Sequence, residues 1–132
     1  MSQENLEIVR GVYADPGGLT AGASGKVAPD AEFDFTAVYP DKPVLRSVEE
    51  LRRFRDTGPW SGSPISFEPE CFFDVDDGRV LVFVRVSATG KGSGAPVEIP
   101  AAHEFTIRDG RVVRFKAYAN RAKALEAAGL EE

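Results

Sequence analysis

His103 is the only histidine in the chain. Imidazole, with an ordinary pKa of about 6.5, can act as acid, base or neutral hydrogen-bond donor near physiological pH. Two further groups could join it in proton chemistry. Asp34 sits in the run EFDF, where acids alternate with phenylalanines, so its carboxylate is a candidate base. Tyr13 offers a phenolic hydroxyl from the N-terminal segment. Each residue also has a plainer role. His103 could be a wall histidine satisfied by a tyrosine or a water, and Tyr13 a core residue on a helix face.

Other patterns carry no chemistry. Asp74, Asp76, Asp77 and Gly78 resemble the start of a calcium loop, but Arg85 stands at the twelfth place, where a bidentate glutamate is needed. Gly90-Lys91 is no phosphate loop, since Arg85 replaces the earlier glycine and Gly92 follows the lysine. Cys71 is the only cysteine, which excludes an intrachain disulfide and paired-cysteine metal sites. It is expected to be an inert, buried thiol in a strand. No metal or cofactor is expected.

The bulk properties narrow the class. At 132 residues the chain is long enough for one domain, 1–132, with a real core. Its 42% hydrophobic and 28% charged content is that of a soluble globular protein. A net charge of −5 disfavours nucleic acid and anionic lipid as partners. The lone cysteine fits a reducing cytoplasm. The polar start, MSQENLEIVRG, is read as carrying no leader, and nothing approaches the length of a membrane span.

The elements that must position these residues follow from periodicity. Leu6, Val9 and Tyr13 recur at helical intervals over 3–14, and Asp15-Pro16-Gly17-Gly18 stops that helix. Leu19, Ala23 and Val27 keep a four-residue rhythm, so a short, weak helix is expected over 19–28. Residues 31–36 alternate as a strand, with Phe33 and Phe35 on one face and Glu32 and Asp34 on the other. Ser47 and Glu50 have capping-box spacing and open a helix over about 48–57 that buries Leu51 and Phe54. From Ile65 the pattern is all strand. Ile65, Phe67, Cys71 and Phe73 are apolar, with Pro69 marking an edge or bulge. Turns at 76–78, 90–94 and 108–110 separate the remaining strands, and Asn120 caps a last helix closed by Gly129. Helices segregated from a meander make the class α+β.

That order, with APDAEF at 28–33, SVEELRRF at 47–54 and RDGRVVRFKAYANRAKALEAAGL at 108–130, resembles the nuclear-transport-factor-two-like superfamily. Within it, the chain is most similar to the SnoaL-like and ketosteroid-isomerase-like branches. The resemblance implies a cone-shaped, curved, mostly antiparallel sheet. Three N-terminal helices would enclose an apolar pocket, and a short C-terminal helix would follow. It implies an inward phase of Val80, Val82, Val84 and Val86, then Ile99, Ala101, His103 and Phe105, then Phe115, Ala117 and Ala119, with Phe33 and Phe35 from the first strand. Phe54 is counted with the ligand-binding residues, and Trp60, just after the capped helix, could roof the pocket.

The resemblance also tests the chemistry. The isomerases' base position falls on Phe35 and their oxyanion partner on His103. Their hydroxyl donor on the first helix falls near Tyr13. SnoaL-like cyclases carry a histidine at the place of His103, but their aspartate falls on Ala117 and their first-strand polar group on Phe33. No Asp-Arg-Asp set of the limonene-epoxide-hydrolase kind is found. A one-residue slip would turn Asp34 inward, opposite His103. Three functions stay open: binding of a small hydrophobic molecule, with or without catalysis by His103; an isomerase-like or cyclase-like enzyme with Asp34 as relocated base; and a structural domain whose cone is filled by its own phenylalanines. A homodimer through the outer sheet face, using Phe83 and Tyr118, is expected from the resemblance.

Overall fold

The computed structural model describes residues 3–14, 25–38, 44–57, 65–76, 78–89 and 96–129. Helix α1 (Gln3–Ala14) precedes strand β1 (Val27–Asp34), and helix α2 (Val48–Thr57) follows it. Strands β2 (Ile65–Asp76), β3 (Arg79–Thr89), β4 (Pro96–Arg108) and β5 (Arg111–Tyr118) form the meander, and helix α3 (Arg121–Ala128) closes the order. The sheet runs β1-β5-β4-β3-β2, antiparallel except for the β1–β5 pair. No described helix is long and apolar enough to cross a membrane.

The expected helix over 19–28 is corrected at its end. Gly25 takes a positive φ of 87°, and Val27 and Ala28 already belong to β1. Residues 19–24 lie outside the described residues, as does Trp60.

The helix ends follow the predicted chemistry. Ser47 Oγ accepts from the Glu50 amide at 3.0 Å, and the Glu50 carboxylate accepts in turn from the Arg46 amide at 3.1 Å. One of the donors that a helix start leaves unpaired, the Glu50 amide, is thereby satisfied, while the carboxylate's return bond falls on the residue before the cap. Asn120 Oδ1 accepts from the Lys123 amide at 2.9 Å, and Gly129 ends α3 in the left-handed conformation. The β4–β5 turn places both Asp109 (φ 54°) and Gly110 (φ 77°) at positive φ, as a tight two-residue hairpin requires.

Two apolar layers lie on the two faces of the sheet. On the inner face Val80, Val82, Val84, Phe105 and Phe115 pack with Phe33 and with Ile8, Val9, Val12, Val48 and Leu51 of α1 and α2. On the outer face Leu81, Ala102 and Tyr118 pack with Ala124 and Leu125 of α3. Strand β3 is therefore apolar on both faces, which explains its unbroken run VLVFV. Arg121 anchors α3: its guanidinium donates to the carbonyl oxygens of Val84 (2.9 Å) and Ala101 (3.2 Å), lies 4.8 Å above the Phe83 ring, and pairs with Glu70. Tyr118 is buried under α3 and Phe83 lies beneath Arg121. The expected self-association patch at these two residues is thus already occupied by the chain's own helix.

Strand β2 corrects a second expectation. Its pairing with β3 shifts between Pro69 and Cys71, the bulge that a residue without an amide donor favours. Before the shift Phe67 sits opposite Val86, on the inner face. After it Phe72 sits opposite Val82 on the inner face and Phe73 opposite Leu81 on the outer. The apolar residues of β2 do not share one face. Cys71 is exposed rather than buried.

Candidate active site around His103

His103 lies mid-strand on β4, opposite Val82 of β3 and Ala117 of β5. Its phase is that of Ala101 and Phe105, so the imidazole faces the inner layer, and only 6% of the residue is exposed. Tyr13, in the last turn of α1, brings its hydroxyl to 2.8 Å from His103 Nδ1. The two rings lie within 1° of parallel with centroids 6.0 Å apart, which suits an in-plane hydrogen bond. It is the only hydrogen bond to the imidazole among the described residues.

Among the described residues, aromatic rings make up much of the remaining surroundings. Phe115 stands 4.7 Å from the imidazole centroid at 60°, Phe67 5.4 Å at 58°, and Phe105 6.4 Å at 78°. Such a shell cannot solvate an imidazolium, so burial pushes the His103 pKa down to about 3. The same burial raises the Tyr13 hydroxyl well above its ordinary value. At neutral pH the pair is an uncharged imidazole and an intact phenol.

Asp34 is not part of this group. It pairs with Lys116 on the outer face, where its carboxylate meets Arg114 at 3.2 Å and Lys116 at 3.9 Å. Its other oxygen accepts from the Thr36 amide and hydroxyl at 2.9 and 2.6 Å. Burial alone would raise this carboxyl, but the Thr36 hydrogen bonds and the two cations outweigh it and hold the pKa below the usual value. Arg114 also reaches Glu32 at 3.0 Å and Glu104 at 3.9 Å, so the outer face carries a closed ion network. The one-residue slip that would have set Asp34 opposite His103 does not occur, because Phe33 and Phe35 hold the inner phase.

The predicted wall divides in two. Phe33, Val82, Val84 and Phe105 face inward but are fully buried, and Ala101, Phe115 and Ala117 nearly so. Phe33, Phe35 and Phe105 each stand within about 6 Å of Phe115, and Phe35 stacks on Phe54 at 5.4 Å. These rings are core: they fill the floor of the curve. Ile99 is different, at 39% exposed, and so is Phe67, at 47%. Both face Val86 across neighbouring strands, forming an inner-face row Phe67–Val86–Ile99, and the Phe67 ring reaches His103. Ala119, expected on the wall, lies beyond the end of β5 and is exposed.

Phe67 was not singled out from sequence as a site residue. The signal was present, since Pro69 announces a bulge and a bulge splits the phase of a strand. A separate groove of about 440 Å³ lies between residues 25–29 and the first turn of α2, and none of the expected site residues lines it.

A curved, mostly antiparallel sheet with helices laid on its inner face is the architecture of nuclear-transport-factor-two-like proteins. Similar solved structures include TerC co-crystallised with polyporic acid, at 21% identity and a TM-score of 0.73, covering 96% of this chain and 99% of that one. An NTF2-like protein from Burkholderia xenovorans LB400 is 25% identical with a TM-score of 0.69, covering 97% of each chain. A protein of ketosteroid isomerase-like fold from Catenulispora acidiphila DSM 44928, in complex with trimethylamine, is 13% identical with a TM-score of 0.64, covering 99% and 96%. No curated protein matches the chain in sequence. The model of the SnoaL-like domain matches residues 20–115, and the chain belongs to that family. Membership fixes the fold and leaves the reaction open, since function is set by the site.

Proposed function

We propose that this SnoaL-like protein binds a small hydrophobic molecule against the inner wall at Phe67, Val86, Ile99 and His103. The observation that carries this is the half-exposed pair Phe67 and Ile99 in one inner-face row, with the Phe67 ring against a histidine whose other ring neighbours are buried or nearly so. An apolar wall with one convergent polar group is the usual make-up of a small-molecule site. Two relatives of the same fold were crystallised with small molecules, polyporic acid and trimethylamine, which is in keeping with such a site. Proton transfer by an Asp34–His103 pair is not part of the proposal, because the two side chains lie on opposite faces of the sheet.

The test is binding of Nile red, a neutral fluorophore that brightens in apolar sites. Phe67→Ser should weaken it roughly tenfold, the usual loss for truncating an aromatic anchor, while the urea midpoint moves little because Phe67 is half outside the core. Absence of any fluorescence gain with the unaltered protein would overturn the proposal.

A further inference from the structure

The Tyr13–His103 hydrogen bond has a direction. A phenol is a far stronger acid than a neutral imidazole N–H, and an unprotonated imidazole nitrogen is a stronger base than a phenolic oxygen. The hydroxyl therefore donates to Nδ1. A neutral imidazole carries one proton, so with Nδ1 accepting, that proton sits on Nε2. Burial keeps the ring neutral, so the second proton that would blur this assignment is absent at neutral pH.

Nε2 has no hydrogen-bond partner among the described residues. No buried side-chain nitrogen or oxygen among them lacks a partner. An unpartnered Nε2 must therefore keep part of its surface open, and it supplies some of the slight exposure that His103 retains. The half-exposed Phe67 is the ring that flanks His103 on the accessible wall.

We infer that Tyr13 is a positioning residue that locks His103 as an Nε2–H donor, so that the site takes ligands carrying a neutral hydrogen-bond acceptor, such as a carbonyl oxygen, on an apolar frame. This rests on the binding proposal above and narrows it. A ligand whose only polar group is a cation or a donor finds no acceptor at this position.

One histidine gives one pair of ring nitrogens, so two-bond proton–nitrogen spectra of the full-length protein read the assignment directly. The expected spectrum has a protonated Nε2 and an unprotonated Nδ1 shifted by an accepted hydrogen bond. In Tyr13→Phe that Nδ1 shift should disappear. A protonated Nδ1 in the unaltered protein overturns the inference.

The ligand class is tested with fluorenone and fluorene, which share a frame and differ by a carbonyl oxygen. Fluorenone should bind about fivefold to tenfold tighter, the net value of one hydrogen bond. Tyr13→Phe should cut that preference severalfold and leave fluorene within about twofold. A merely structural Tyr13 would weaken both compounds together. Equal binding of the two compounds by the unaltered protein, or a preference untouched in Tyr13→Phe, overturns the inference. If neither compound nor Nile red binds, the binding proposal fails and takes the ligand class with it. The nitrogen spectrum still upholds or overturns the role of Tyr13.

Discussion

Lowering the pH from 7 to 5 should cost this protein about 2 kcal/mol of folding stability through His103 alone. In the unfolded chain the imidazole takes up a proton with a pKa of about 6.5. In the folded chain, desolvation among Phe67, Phe105 and Phe115 holds that pKa at about 3. Between these values the unfolded state binds the extra proton. The contribution is therefore complete above about pH 6.5, falls at up to about 1.4 kcal/mol per unit below it, and stops falling only near pH 3. From pH 7 to 5 the unfolded imidazole goes from roughly a quarter protonated to nearly fully so, while the folded one stays neutral, and the integrated loss is about 2 kcal/mol. Asp34, Glu70 and Asp76, whose pKa values are lowered in the fold, pull the same way only as the pH nears the unfolded carboxylate range of about 4. The window from 7 to 5 thus isolates the histidine. The assay is urea unfolding at both pH values, where a shift in midpoint of about 1 M is expected for a protein of this size. His103→Gln, which keeps an acceptor for Tyr13 but does not titrate, should be nearly flat across the window. An unaltered protein with the same midpoint at both pH values, or a glutamine variant that falls as steeply, would refute the desolvated-histidine account.

Two further outcomes follow from the outer layer. Asp34→Asn removes the charge facing Arg114 and Lys116 and should lower stability by roughly 1–2 kcal/mol while leaving Nile red affinity within twofold; lost binding would place Asp34 in the site after all. Asn120→Ala removes the acceptor for the Lys123 amide and should cost about 1 kcal/mol in the same urea experiment, and an unchanged midpoint would show that the cap contributes nothing to holding α3.

The strands with clean alternation were legible in the sequence. The resemblance supplied the inward phase of Val80, Val82 and Val84, which the unbroken run VLVFV does not declare by itself, and His103 shared that phase with Ala101 and Phe105. Asp34 was legible too, since two flanking phenylalanines outweigh one acid when a face must be buried. The caps at Ser47 and Asn120 were local chemistry and read correctly. What failed was whatever depends on a break in phase or on a distant partner. The bulge at Pro69 was announced by the proline, but which of Phe67, Phe72 and Phe73 it would turn inward was not. The accessibility of the wall was hidden as well, because alternation says which way a side chain faces and nothing about what already fills that side. Phe83 and Tyr118 read as free outward residues only because the docking of α3 cannot be inferred from strand parity.

The hydrogen bond between Tyr13 and His103 joins residues 90 positions apart, and β1 meets β5 across a similar span. Loops of that length must close against chain entropy before their contacts return any stability, which places such topologies among the slower folders. The β2–β5 meander is built from neighbours and needs no such closure. The hydrogen bond that ties α1 to the site is therefore absent from any early, locally paired form of the sheet. Phe67, Phe105 and Phe115, which desolvate His103, all belong to the meander, so the docking of α1 adds the Tyr13 hydrogen bond to a histidine that the sheet has already surrounded.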